Sequence, residues 1–225
     1  SDDRDVAEAA VSRLGEGVPL VMAALTALIG EVRFAARQAS LARLSAEWEQ
    51  VRRAIRKAGL AEPEPLRGVA TLRATDRAAA DATALSLTSA WLVAATAALW
   101  QSAEDETSPT AAVAALPGQL DGRVRRIAAT ENAQAFEDAR DDAEEDIALR
   151  HGDKQWFPAL FKIWNATNDR KLCERCARLD GSIRLWGMSF PSGEVPGYVH
   201  PFCRCVEGTI LLPAYLARDD EAQAA

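Results

Sequence analysis

The sequence predicts an α+β protein that is mainly α. Long helices form an extended helical body, and a small C-terminal β-and-loop module follows, pinned by a cysteine/histidine metal cluster. Two observations carry this. Alanine-rich segments with apolar residues at helical spacing fill the first two thirds of the chain, whereas Tyr and Phe are few. All four cysteines then fall in the last quarter, as Cys173-Glu-Arg-Cys176 and His200-Pro-Phe-Cys203-Arg-Cys205.

Residues 1–14 read as a short helix stopped by Gly15 and Gly17. A long helical region follows over about 18–59. Its stripe Leu41, Leu44, Trp48, Val51, Ile55 steps by three and four, which is one helix face. Glu47, Glu49, Arg52 and Arg53 lie on the other face. Ala61-Glu-Pro-Glu-Pro65 ends the region as a linker. A second long helix is expected from about Val69 to Gln101. Glu104–Pro109 reads as a loop, and a short helix over 110–116 breaks at Leu116-Pro-Gly118.

The next helix spans 120–149. Its expected buried stripe is Ala129, Ala133, Phe136, Ala139, Ala143 and Ile147, with the acidic run Glu137–Asp146 as a solvated face. After His151-Gly152 the texture turns aromatic, then rich in Cys, Gly and Pro. Val206–Leu212 reads as a final strand, and the tail Arg218–Ala225 as frayed. The domain division is thus a helical, partner-docking body over 1–119 and a second domain over 120–225. The second domain consists of the 120–149 helix and a metal-binding module over 155–212.

The uncharged stretch Ala82–Ser102 has the length of a membrane span. Ser, Thr and Ala dilute it, and its flanks Asp81 and Glu104 are acidic. It is therefore expected to be buried or to face a partner through Trp91 and Leu92, with no membrane. Residues 17–30 are read as too short to span. The net charge of −7 argues against a protein that coats nucleic acid generically. Ser1-Asp-Asp-Arg-Asp5 is acidic and does not resemble a signal peptide, so a reduced compartment is expected.

A C-x-x-C turn can aim both sulfurs at one point, and H-P-x-C-R-C adds three donors within six residues. The pattern suits one tetrahedral zinc ion per chain. Two disulfides, or unlinked thiols, are the alternatives. Five donors compete for about four positions. Cys173, Cys176 and Cys203 are expected to bind, with His200 or Cys205 completing the shell. The spare donor is then a hydrogen-bonding neighbour or a packed core residue. Leu179-Asp180-Gly181 is a turn in which Asp180 caps local amides and Gly181 takes a positive φ. Arg204 is expected to grip a carboxylate, Asp169 or Asp180, with both arms of its guanidinium. Trp164 is expected in the core beneath the cluster.

From about Arg125 to Val206 the chain resembles the phage Mu F-like minor head protein family. The likeness runs through Arg126-Ile-Ala-Ala-Thr130-Glu131, Trp164, Asp169-Arg-Lys-Leu-Cys173-Glu-Arg-Cys176, Leu179-Asp-Gly181, Phe190, Gly193, Pro196 and His200-Pro-Phe-Cys203-Arg-Cys205. It departs at Val195-Pro196-Gly197, where the family often has two prolines. The resemblance implies a structural virion component, present in several copies at the portal vertex of a tailed-phage-type head and assembled in the bacterial cytoplasm. Portal protein or neighbouring capsid proteins would be its partners, with phage DNA a further one during packaging or ejection. The same domain also serves as a carrier in bacterial toxins.

Two other function classes compete. A zinc-stabilised nucleic-acid module would use Arg123, Arg125 and Arg126, or Arg170, Lys171, Arg175 and Arg178. An enzyme is not expected: there are two histidines, one within the cluster, and no G-x-S-x-G, P-loop or H-E-x-x-H.

Overall fold

The computed structural model describes residues 2–66, 74–105, 107–167 and 169–212. It is mainly helical with a three-stranded antiparallel sheet. The helices are α1 (Asp2–Lys57), α2 (Ala74–Glu104), α3 (Pro109–Ala114), α4 (Leu116–His151) and the short α5 (Glu174–Leu179). The strands are β1 (Leu160–Asn165), β2 (Ile183–Leu185) and β3 (Val206–Leu211), in the order β2-β1-β3. The expected tail at Arg218–Ala225 and the first residues of the second long helix, 69–73, lie outside the described residues.

One expected helix break is absent. α1 runs unbroken through Gly15, Gly17 and Pro19. A glycine costs a helix only about 1 kcal/mol, and propagation through a long helix needs no new nucleus. The expected break after the short helix is present at residue 115, between α3 and α4, and Leu116-Pro-Gly118 forms the start of α4. A proline in the first turn loses nothing, because its missing N–H would have had no helical partner.

The chain forms two compact units, Ser1–Arg33 with Leu72–Glu131, and Phe34–Thr71 with Asn132–Ala225. Each is built from two stretches of chain, so neither coincides with 1–119 or 120–225. In the first unit, Ile29, Ala80, Ala84 and Leu87 form the core with Leu25 and Ile127 against them. Arg33 is buried there too. Its Nη1 donates to Glu131 at 2.7 Å, and Nε and Nη2 donate to Asp76 at 3.1 and 2.9 Å. Thr83 Oγ1 donates to the other Glu131 oxygen at 2.6 Å. One guanidinium thus ties α1, α2 and α4 together with its carboxylates engaged, which is what makes a buried charge tolerable.

Ala82–Ser102 is buried on one face only. Ala84, Leu87, Thr88, Ala95, Leu99 and Ser102 are inside, while Leu85 and Val93 are 53% and 71% exposed. Trp91 and Leu92 are half-buried. Because α1 is continuous, it also holds an 18-residue apolar window, contrary to the reading of 17–30 as too short. By length and composition alone, both α1 and α2 can cross a membrane.

In the second unit the predicted α1 stripe is confirmed: Leu44, Trp48, Val51 and Ile55 are buried, and Leu41 is half-buried. Trp48, Val51 and Ile55 meet Ile147 of α4, Trp156, Leu160 of β1 and Trp186. Side chains of this size contribute about 1.5–3 kcal/mol each on full burial. Trp48 Nε1 donates to the Glu64 carbonyl at 3.0 Å and Arg52 Nε to that of Pro63 at 2.7 Å, which folds the 61–66 linker back on α1. β1 pairs with β3 from Leu160↔Leu211 to Asn165↔Val206, and with β2 from Phe161↔Leu185 to Ile163↔Ile183. The connections between these strands carry the cysteines, Cys173 and Cys176 between β1 and β2, and Cys203 and Cys205 between β2 and β3.

Candidate metal centre

The first turn precedes α5. Cys173 is its N-cap, and its sulfur accepts the Cys176 amide at 3.3 Å. One turn of helix then carries Cys176 round to the same side. The second turn is closed by the Cys203 amide donating to the His200 carbonyl at 3.0 Å. Phe202 within it has φ +69°. A large side chain in the left-handed region is costly, so the surrounding packing must impose that conformation.

These turns bring all five predicted donors together. His200 Nε2 lies 3.1 Å from the Cys173 sulfur and 3.2 Å from that of Cys176, and the Cys176 and Cys203 sulfurs are 3.9 Å apart. Two triads result, Cys173–Cys176–His200 and Cys176–Cys203–Cys205, sharing Cys176 and each with donor atoms within 4.8 Å of one another. Tetrahedral zinc with bonds of about 2.3 Å to sulfur and 2.0 Å to nitrogen places its ligands about 3.5–3.8 Å apart. The donors therefore fit a small ion. Cys173, Cys176, His200 and Cys205 also line a cavity of about 10 Å³. All four cysteines are free thiols.

The surroundings act on the four thiols in opposite directions. Hydrogen bonding with Cys205 and with backbone amides lowers the Cys203 thiol to about 5, against the pull of burial. The Cys176 amide lowers Cys173. Burial, then the Cys173 contact, pushes Cys176 up to about 12, and hydrogen bonding with Cys203, then burial, raises Cys205. His200 Nδ1 lies 2.7 Å from the Pro201 carbonyl. A carbonyl only accepts, so Nδ1 carries a proton and Nε2 is the ring atom that faces the sulfurs; the Pro201 contact, then the Cys173 and Cys203 charges, raise the His200 pKa against burial.

The other predicted residues build the frame. Asp180 accepts the Ala166 amide at 2.8 Å, and Gly181 takes φ +72°. Asp169 accepts the Lys171 amide at 2.8 Å and grips Arg204 through two contacts. Hydrogen bonds from Arg204, then from the Lys171 amide, hold its carboxyl down at about 2. That pair joins the two cysteine turns. Trp164 is fully buried beneath the cluster, edge-on to Phe190 with ring centroids 5.1 Å apart.

The acidic run Glu137–Asp146 is not a solvated face. Glu137, Arg140 and Glu144 are buried, while Asp141, Glu145 and Asp146 face outward. Arg140 donates to Glu47 of α1 at 2.7 Å, to Glu144 at 3.0 Å and to Thr209 of β3. Lys162 of β1 stands 3.5 Å from Glu207. Burial pushes Glu137 up to about 8, partly opposed by Arg140. Burial and the nearby Glu207 charge raise Glu144 well above its usual range. Burial also acts on Glu47, but Arg140, Arg43 and the Thr209 amide outweigh it and hold it low. Sequence reasoning missed this network. A signal was there: Ala133, Glu137, Arg140, Glu144 and Ile147 step by four, three, four and three, which is one helix face.

Compared with protein-family models, curated proteins and solved structures, the chain has no match.

Proposed function

We propose that this protein is a non-enzymatic minor head protein of a tailed-phage-type capsid. Its helices dock at the portal ring, and its C-terminal module is a rigid cap pinned by one zinc ion. The observation that carries this reading is the ordered set D-R-x-x-C-x-x-C, L-D-G and H-P-x-C-R-C. The roles of those residues are consistent with a structural task. Asp169, Asp180, Gly181 and Arg204 each shape or join turns, and the cysteines with His200 form a group able to hold a metal ion. Zinc suits the thiolate-rich donor set and adds folding energy outright, without chemistry of its own. The exposed apolar residues Leu20 and Leu28 of α1, and Leu85 and Val93 of α2, suit helices that complete their packing against another protein.

Co-expression with the portal protein of the same gene cluster tests the proposal. The two should co-purify, and Trp91→Asp, Leu92→Asp or the exposed Val93→Asp should weaken capture while circular dichroism stays helical. A chain that ignores every neighbouring capsid protein, or that turns over a substrate with zinc, overturns it.

A further inference from the structure

The three-stranded sheet has two edges, and they are finished differently. On β3 the amides that point away from β1 are met by carboxylates. Glu207 N–H donates to Glu137 of α4 at 3.3 Å, and Thr209 N–H to Glu47 of α1 at 2.9 Å. Among the described residues, no side chain from another element does this for β2. We propose that the outer edge of β2 is a docking site for an extended segment of another protein, in which an acidic residue stands between two apolar ones. Recognition there uses neither the metal cluster nor the helix faces proposed to meet the portal.

The register fixes which backbone groups are open. Trp164 N–H donates to the Ser182 carbonyl at 2.9 Å and Trp186 N–H to that of Leu160 at 3.1 Å. With Arg184 opposite Lys162, residues 182, 184 and 186 hold the ladder with β1. Ile183 and Leu185 therefore turn their N–H and C=O groups outward. The Leu185 carbonyl accepts the Met188 amide at 3.0 Å. The Ile183 carbonyl accepts Nη1 of the adjacent Arg184 at 2.8 Å. Both outward amides are left for an incoming strand, and so is the Ile183 carbonyl once Arg184 swings away.

The side chains specify the occupant. Ile183 and Leu185 share one face of the sheet and are 40% and 45% exposed. Apolar residues spaced by two on an added strand cover them. Arg184 lies on the opposite face between them and has no carboxylate partner among the described residues. An acidic residue across from it supplies one. A second copy of this chain does not meet that need. Two β2 strands paired antiparallel about their centres set Arg184 against Arg184, and like charges directly opposite are unfavourable.

The test titrates the isotope-labelled full chain with the capped peptide Ser-Thr-Val-Glu-Val-Thr-Ser and reads the backbone amides by NMR. The same peptide with Lys at its centre is the counterpart. The Glu peptide should shift the Ile183 and Leu185 amides and slow their exchange with solvent. The Lys peptide should bind about five- to tenfold more weakly, as should the Glu peptide to Arg184→Glu. Arg184→Glu should prefer the Lys peptide. N-methylation of the two peptide valines, whose amides face β2 in an antiparallel pairing, should abolish binding, and N-methylation of the central Glu should not. Binding indifferent to the central charge, shifts confined to other residues, or no binding of either peptide overturns the proposal. So does a chain that dimerises through β2, seen by sedimentation as association that Leu185→Lys abolishes.

Discussion

The C-terminal module is held from two sides by different physics. On one side five soft donors converge from two turns that lie 24 to 27 residues apart in the chain. On the other, Arg140 of α4 gathers Glu47 and Thr209 across separations of 93 and 69 residues. The cysteine cluster closes short loops and depends on one ion. The Arg140 network ties distant segments and depends on which carboxyls hold protons. Around Arg140 and Lys162 stand Glu47, Glu137, Glu144 and Glu207, so the acids outnumber the bases in a buried place. Arg140 Nη1 and Glu207 Oε1 lack hydrogen-bond partners among the described residues. A metal cluster of this kind forms wholly or not at all, whereas a charge network can give way by degrees.

Breaking the cluster should have the larger effect. Structural zinc contributes about 10–16 kcal/mol in small zinc peptides. Cys173→Ser or Cys203→Ser should therefore unfold the module after residue 155, seen as lost sheet signal and chelator-insensitive protease cleavage there, with most helical signal retained. If both variants keep full metal content, these residues are not ligands. Breaking the network comes next. Arg140→Met strands Glu47 and Glu144, and loss of one partner of a buried pair costs about 3–5 kcal/mol. Urea unfolding should show this, and adding Glu47→Gln and Glu144→Gln should restore much of the loss.

The third test separates the two devices by pH. The Glu137 carboxyl is raised to about 8, so the folded state keeps a proton that the unfolded state releases. Its contribution is unfavourable to stability as pH rises from about 4.5 towards about 8, because the unfolded state binds fewer protons. The metal cluster runs the other way, since its thiols must lose protons to bind. Glu137→Gln should therefore stabilise the protein at pH 8 relative to pH 5, measured as the difference in melting temperature from the unmodified chain. An equal difference at both values would show that Glu137 does not titrate there. The smallest effect is expected at Gly197, with φ +79° and an added Cβ 3.1 Å from the Ala133 carbonyl. Gly197→Ala should cost about 1–2 kcal/mol and leave metal content unchanged.

The same contrast explains what was legible in the sequence. Donors within a few residues of one another announce themselves. Cys173, Cys176, His200, Cys203 and Cys205 were readable, as was the turn geometry of Asp180 and Gly181, because glycine is where a positive φ is free. The α1 core stripe was readable because Leu44, Trp48, Val51 and Ile55 are apolar and repeat with the helix. The Arg140 network was hidden for the opposite reason. Glu137, Arg140 and Glu144 follow the same period, but charged residues are normally solvated, and their partners Glu47 and Thr209 lie far away in the chain. The helix ends defeat local rules: Gly15 and Gly17 lie inside a helix long enough to absorb them, and Pro117 sits in the first turn of α4, just past the break that follows α3.

The central claim is that one ion closes the two cysteine turns. Native mass spectrometry of the full chain, purified without added metal, tests it most directly, with the denatured mass as control. The prediction is about one zinc per chain, released by acid to leave four reduced thiols. A metal-free chain whose denatured mass is short by the hydrogens of one or two disulfides would contradict it.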